Sequence, residues 1–287
     1  MGFLDRFSNK EDQNTQAQDN KVIAFINQKG GVGKTTMAFN CAHALAKRGK
    51  RVLAIDLDPQ ANLSLLFGFE TSDAHPYHIH HLMLNSVREL KALHVPAMVQ
   101  DVMVKGEVDL LPSGQELSGF ELTVAGVNFP RQLILKKLLE KNGLLDRYDF
   151  IVIDCPPTLG LLVVNGLCAS AGVIVPFRPD EFSRKGLSHL NEVLADIDDM
   201  GVVAAPKILA HIPNLVDIRR KQEEQDLALI AEDVGAKNVM DPFFNRAQLV
   251  KSQAARKSVY DFQAKEFLGL QKQFNDMAEL IDNWNVQ

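Results

Sequence analysis

The chain is poor in cysteine, with three among 287 residues. Cys41, Cys155 and Cys168 form neither a CxxC pair nor an even framework, which argues against a disulfide scaffold and a structural zinc site. They read as small buried residues of a protein in a reducing compartment. Long apolar runs are also missing, since no stretch reaches the roughly 18 residues of a membrane-spanning helix. The N-terminus lacks the basic-then-apolar order of a signal peptide, so the expectation is a cytoplasmic protein. Nor is there an excess of basic charge. With 31 Lys and Arg against 36 Asp and Glu, the formal net charge is −5, so any attraction to nucleic acid has to come from a local patch.

What is present is apolar: 46% of residues are hydrophobic, enough to bury a sizeable core. Residues 1–20 are expected to be a disordered tail and residues 21–287 one domain, because Ser8–Asn20 carries no large apolar side chain to offset the entropy of ordering. Ahead of it, Phe3, Leu4 and Phe7 would share one face of a short helix. From Lys21 onward, short β-branched runs alternate with helical patterns. Val22–Ile26, Val52–Ile55, Val108–Leu111, Phe150–Ile153, Val173–Val175 and Ile208–Ile212 read as strands covered on both faces. Thr36–Arg48, Arg131–Lys141, Gly186–Met200 and a final Ala264–Trp284 read as helices. The alternation predicts an α/β fold, a doubly wound and mainly parallel sheet with helices on both faces, whose functional loops follow the carboxyl ends of the strands.

The first of those loops is the most informative. Strand Val22–Ile26 runs through Asn27-Gln28 into Lys29-Gly30-Gly31-Val32-Gly33-Lys34-Thr35-Thr36 and then a helix, an order that surrounds phosphate oxygens with backbone N–H groups. Glycine is needed where a Cβ would block that approach. Lys34 would neutralise the β and γ oxygens of ATP and the Thr35 hydroxyl would ligate Mg²⁺. Two further strand ends supply carboxylates: Asp154 before Cys155-Pro156-Pro157 for the hydrated metal, and Asp58 in Asp56-Leu57-Asp58-Pro59-Gln60 for the metal site and the attacking water.

The loop departs from the usual Walker pattern, having Gln28 where a glycine is expected and an extra Lys29 before Gly30. Its K-G-G-V-G-K-T-T form resembles the deviant Walker A motif of the ParA/MinD superfamily, and the resemblance continues through D-L-D-P-Q, D-C-P-P, Leu111-Pro112-Ser113, Tyr148-Asp149-Phe150 and Phe182–Leu187. The likeness to ParA proteins implies a slow, Mg²⁺-dependent ATPase that dimerises with ATP, Lys29 reaching the partner's phosphates, with switch I at Asp58 and switch II at Asp154. It further implies stimulation by a ParB-like adaptor, non-specific binding to nucleoid DNA, and positioning of a plasmid, chromosome or protein cargo. Phe243-Phe244-Asn245-Arg246 stands where many ParA proteins have an adenine loop, which makes Phe244, Arg246 and Asn214 the implied base contacts. Asp217-Ile218-Arg219 resembles a segment that supplies a DNA-contacting arginine. With Arg220, Arg246, Lys251, Arg256 and Lys257 it forms the candidate DNA surface.

The run His75-Pro-Tyr-His-Ile-His-His81 has no adjoining cysteine or acidic cluster, only Asp73 nearby, so the reading favours no metal there. A MinD-like membrane ATPase is the alternative function. Such proteins end in a basic amphipathic helix, whereas this chain ends Ile281-Asp-Asn-Trp-Asn-Val-Gln287 with no Lys or Arg for anionic lipid, so membrane partnership is disfavoured.

Overall fold

The computed structural model describes residues 21–70, 72, 75–217, 219–244 and 247–284. The tail expected at residues 1–20, with its Phe3/Leu4/Phe7 face, lies outside them. Seven strands, β1 (Val22–Phe25), β2 (Val52–Asp56), β3 (Asp109–Leu111), β4 (Phe150–Asp154), β5 (Gly172–Phe177), β6 (Lys207–Val216) and β7 (Phe243–Phe244), form one sheet in the order β3-β2-β4-β1-β5-β6-β7. Every pairing is parallel.

Alternation along the strands divides the apolar residues between two cores. Ala24, Ile55, Ile153 and Val175 pack on one face with the helices Ile134–Lys141 and Leu161–Ala169. Their neighbours Ile23, Phe25, Val152 and Ile174 point the other way, toward Lys34–Lys47 and Leu268–Asn283. Because side chains alternate with period 2 and both faces are covered, these strands read as uninterrupted apolar runs. All three cysteines are buried in these layers. Among the described residues no helix is long and apolar enough to cross a membrane.

The structure extends several expected elements. The helix expected from Gly186 starts at Glu181, because the Asp180 side chain accepts the Ser183 backbone N–H at 2.9 Å and caps it. β6 runs past Pro213 to Val216, since its outer neighbour β7 pairs with it beyond the proline, Asn214 with Phe243 and Val216 with Phe244. Between these pairs Leu215 takes a left-handed φ of 58° and the register shifts. The last helix begins at Leu268, after a 3-10 turn at Lys265–Phe267.

Gly166 sets how closely the helix Leu161–Ala169 lies on the sheet: a Cβ there would stand 2.8 Å from Cys155 Sγ and 3.4 Å from Leu57 Cδ1. Alanine normally favours a helix over glycine by ~1 kcal/mol, but overpacking costs ~1–3 kcal/mol. Gly166→Ala is expected to destabilise the chain in urea unfolding, and Cys155→Ala in the same chain to recover most of the loss by removing the obstructing sulfur.

Candidate functional site

β1 sits between β4 and β5, so the loop that follows it opens between their carboxyl ends, where open α/β sheets bind ligands. Asn27 fixes the start of the loop. Its Nδ2 donates to the Pro176 carbonyl at 2.8 Å and its Oδ1 accepts the Lys29 backbone N–H at 2.8 Å, tying the end of β1 to β5. Gly33 then enters the helix Lys34–Lys47 at φ 92°, and a Cβ on it would lie 2.2 Å from Asn214 Nδ2. That same Nδ2 donates to the Val32 carbonyl at 2.7 Å, so β6 clamps the loop from the side opposite β4. The loop borders a cleft of about 520 Å³ lined by Gly30, Lys34, Thr35, Asp58, Asn214 and Gln253, among others.

Three carboxylates end the neighbouring strands. Asp56 and Asp154 face each other in register and both are fully buried. Asp56 is well served: its Oδ2 accepts the Ser64 backbone N–H and hydroxyl, each at 2.8 Å, and its Oδ1 accepts the Asp58 N–H at 3.1 Å. Burial nevertheless pushes its carboxyl up to about 7, against those hydrogen bonds. Asp154 is different, because its oxygens have no hydrogen bond of good geometry among the described residues and only the Thr35 hydroxyl close by. Burial first, and the Asp56 charge second, raise its carboxyl well above the usual range, while the nearby Thr35 and Lys34 side chains oppose the shift. Lys34 is itself buried and lowered by desolvation, with its Nζ donating to the Lys29 carbonyl at 3.3 Å. An unpaired buried carboxylate beside a hydroxyl and an ammonium fits a hydrated hard cation, and Lys34 with the loop amides fits polyphosphate.

Asp58 lines the cleft with Gln60, whose backbone N–H its Oδ1 accepts at 2.9 Å. Its carbonyl accepts the Ser113 hydroxyl at 2.6 Å, and the Ser113 N–H donates to Ser64 Oγ at 2.9 Å. The Leu111-Pro112-Ser113 segment thus buttresses Asp56 and Asp58 together. Lys29 points out of the cradle: its ammonium pairs with the Asp180 carboxylate and lies 5.9 Å from the centre of the exposed Phe182 ring.

Of the implied adenine contacts, Asn214 reaches the cleft, with its buried Oδ1 unpartnered among the described residues. Phe244 lies in strand β7 rather than in a loop, and Arg246 falls outside the described residues. The other basic candidates emerge from the carboxyl ends of the adjacent strands β6 and β7 and are mostly paired. Arg219 meets Asp217 at 2.7 Å, Arg220 meets Glu223 at 3.4 Å, Lys251 meets Glu266 at 3.5 Å and Arg256 meets Glu70 at 2.9 Å. Lys257 is exposed. In the histidine run, His78 is buried with its Nε2 at 2.8 Å from Glu116, and burial lowers His80 to about 4.

The sequence reading did not single out Asn27, Asp180 or Gln253. The position of Asp180, just after Pro179 and three residues before Ser183, was a readable cap signal. Gln253 carries no local signal, since its partner lies 217 residues away.

The buried carboxylates also carry a pH signature. Folding raises Asp56 and Asp154 from an ordinary value of 3.8, so the folded chain retains protons that the unfolded chain releases. Nucleotide-free stability therefore falls as pH rises from about 4 through about 7. Asp154→Asn is expected to raise the melting temperature of the nucleotide-free chain at about pH 8 and to shrink the drop from about pH 5. Calorimetry at the two pH values checks this, and an unchanged drop would clear Asp154 of responsibility.

The family profile described as an AAA domain matches residues 20–204. An uncharacterised protein of Mycobacterium tuberculosis is 38% identical over 182 residues, 62% of this chain but 53% of the relative, so the chain spans about half of that protein's length. The chromosome-partitioning ATPase Soj of Treponema pallidum is 33% identical over 217 residues, 76% of this chain and 80% of Soj. Among solved structures, cobyrinic acid a,c-diamide synthase of Mycobacterium smegmatis, with bound ATP analogue and magnesium, is similar with a TM-score of 0.72 at 28% identity, over 91% of this chain and 93% of that one. The seven-stranded parallel sheet, the lysine-preceded phosphate loop and a likeness to Soj across three quarters of the sequence have one common explanation: the chain belongs to the ParA family of P-loop ATPases.

Proposed function

We propose that this chain is a Mg²⁺-dependent positioning ATPase that dimerises on ATP, binds DNA without sequence preference and is stimulated by a ParB-like adaptor. The observation that carries this reading is the division of labour between two lysines on one loop. Lys34 is buried against the cradle, whereas Lys29 is held at the mouth by Asp180, directed away from its own phosphate site. A second subunit facing that mouth would receive Lys29, and each site alone would be incomplete.

In this reading Lys34 and the backbone N–H groups of Gly30 to Thr36 would hold the triphosphate, and Thr35 with Asp154 and Asp58 would hold Mg²⁺ and its water. The metal supplies charge neutralisation at phosphate oxygens when bound. Asp58, fixed by Ser113 and Gln60, orients the attacking water. The partner's Lys29 acts as an arginine finger does, for which rate effects of ~10³–10⁵ are typical. Asn214, which borders the cleft and whose buried Oδ1 has no partner among the described residues, would serve the base.

The DNA surface is read on Arg219, Arg220, Arg246, Lys251, Arg256 and Lys257, doubled by dimerisation. Affinity of ~10⁻⁴–10⁻⁶ M at physiological salt is what such non-specific contacts provide. Arg256 adds a physical argument, because it keeps a left-handed φ of 51° that glycine adopts without strain. An arginine retained at such a position suggests a role for its guanidinium. Cargo positioning over the nucleoid follows if this surface operates.

Two measurements test the proposal. Lys29→Gln should bind ATP yet fail to dimerise in light scattering and lose adaptor-stimulated turnover, whereas Lys34→Ala should not bind ATP at all. Wild-type dimerisation of Lys29→Gln would remove the basis of the switch. Arg256→Gly should melt no lower than wild type, the relieved strain offsetting glycine's entropy, while retaining less DNA at low salt. Undiminished DNA retention would take Arg256 out of the surface.

A further inference from the structure

One wall of the cleft has no part in the reading above. The helix Ala247–Ala254 lays Leu249, Val250 and Gln253 along it, and Gln253 Nε2 donates a hydrogen bond to the hydroxyl of Thr36, two residues beyond Lys34. Thr36 is buried, and its backbone carbonyl is held as well, accepting Asn40 Nδ2 at 2.9 Å. Asn40 Oδ1 in turn accepts the Val259 N–H at 2.9 Å. The segment from Ala247 to Val259 therefore reaches Thr36 directly at its hydroxyl and, through Asn40, at its carbonyl.

The direction of the Gln253 bond matters. A threonine hydroxyl has one proton and two lone pairs, and its rotor turns to suit its partners. With a lone pair occupied by the Gln253 amide, the Thr36 hydroxyl must act as donor elsewhere. The carbonyl one helical turn back, Val32, already spends one of its two lone pairs on Asn214 Nδ2 at 2.7 Å, so a phosphate oxygen competes with a single remaining internal acceptor there, and Thr36 lines the cleft beside Thr35 and Lys34. We propose that Gln253 is a positioning residue for nucleotide binding: by donating to Thr36 it turns the Thr36 hydroxyl proton into the cleft, as a donor to a phosphate oxygen of a nucleoside polyphosphate. Gln253 acts through Thr36 and through the fixed rotor, and the ligand class follows from the donor it prepares among cationic and N–H groups.

The inference rests on the phosphate-cradle reading, and three variants separate the two. Calorimetric titration with Mg·ATP is the readout, with the nucleotide-free melting temperature alongside. Gln253→Met keeps the side chain's length and removes the donor, so ATP affinity should fall about five- to tenfold, the worth of one ordinary net hydrogen bond. Gln253→Glu can only accept when ionised; it reverses the Thr36 rotor and adds a negative charge beside the phosphates. Its loss should be about tenfold greater again. A residue that merely packs the wall would leave Gln253→Met binding as wild type does, since methionine keeps its length, while the added charge of Glu lowers affinity in either case; Gln253→Met is therefore the deciding variant. Melting temperatures of both nucleotide-free variants should stay within a few degrees of wild type, because Gln253 is exposed. If Gln253→Met binds Mg·ATP as wild type does while Lys34→Ala binds none, Gln253 has no positioning role and the cradle stands. If Lys34→Ala also binds normally, the cradle reading itself falls, and this inference with it.

Discussion

Ionisable groups buried without a full set of partners are the constraint around which this molecule is built. Asp56, Asp154 and Lys34 converge at the carboxyl ends of β2, β4 and β1, all removed from water. Ionising a buried group is expensive unless it is paired or hydrogen-bonded, so both carboxyls hold their protons to higher pH than in water. Asp56 meets the demand with Ser64 and the Asp58 backbone, and becomes a structural anchor for the turn that carries Asp58. Asp154 has no such escape, and a ligand bringing a cation and ordered water would relieve it. The folded chain is thus prepared for its ligand at the expense of its own stability, which is where active sites commonly store strain in electrostatic form.

The rest of the sheet serves to hold those ends at the right spacing. The in-register pairing of Asp56 with Asp154 comes from apolar strands whose alternate residues fill two separate cores, so a slip of one residue would turn each carboxylate away from the cleft. Gly33 and Asn214 apply the same logic to the loop. The absence of a Cβ at Gly33 lets the Asn214 amide come close enough to hold the Val32 carbonyl. A motif glycine is therefore a packing requirement of β6 as well as a phosphate-binding one.

How much of this was legible in the sequence depended on whether the signal was local. The parallel sheet, the phosphate loop and the carboxylates at the strand ends are each written in one short segment, as a β-branched run followed by Gly or Asp, and the structure brings those segments together. The contacts that the sequence did not reveal are those between distant segments of the chain. Pro213 looked like the end of a strand because its neighbour β7, only Phe243–Phe244, is too short to register as one. Lys29 was read from its position before Gly30, but its partner Asp180 lies 151 residues on, and no periodicity links the two. The basic clusters were legible as composition. What composition could not tell was that Arg219, Arg220, Lys251 and Arg256 are each met by a carboxylate in the folded chain.

Those pairings bear on how a chain of net charge −5 could hold DNA at all. Exposed ion pairs such as Arg256 with Glu70 are worth little, with a median of ~0–1 kcal/mol, so a phosphate would displace the carboxylate from such an arginine with small loss, whereas Arg220 meets the buried Glu223. The pairing also masks the cations from phosphates that approach singly, and only an array of phosphates with released counterions offsets the repulsion of the remaining acidic surface. Lys29 obeys the same principle at the cleft mouth. Its bond to Asp180 is partly exposed and also belongs to a carboxylate that caps a helix through Ser183. Asp180 would thus keep a hydrogen-bonded role after Lys29 has left it, which lowers the cost of releasing the lysine. Under the proposed function, a polyanion, whether triphosphate or DNA, would take these cations from their internal partners by exchange rather than by unfolding anything.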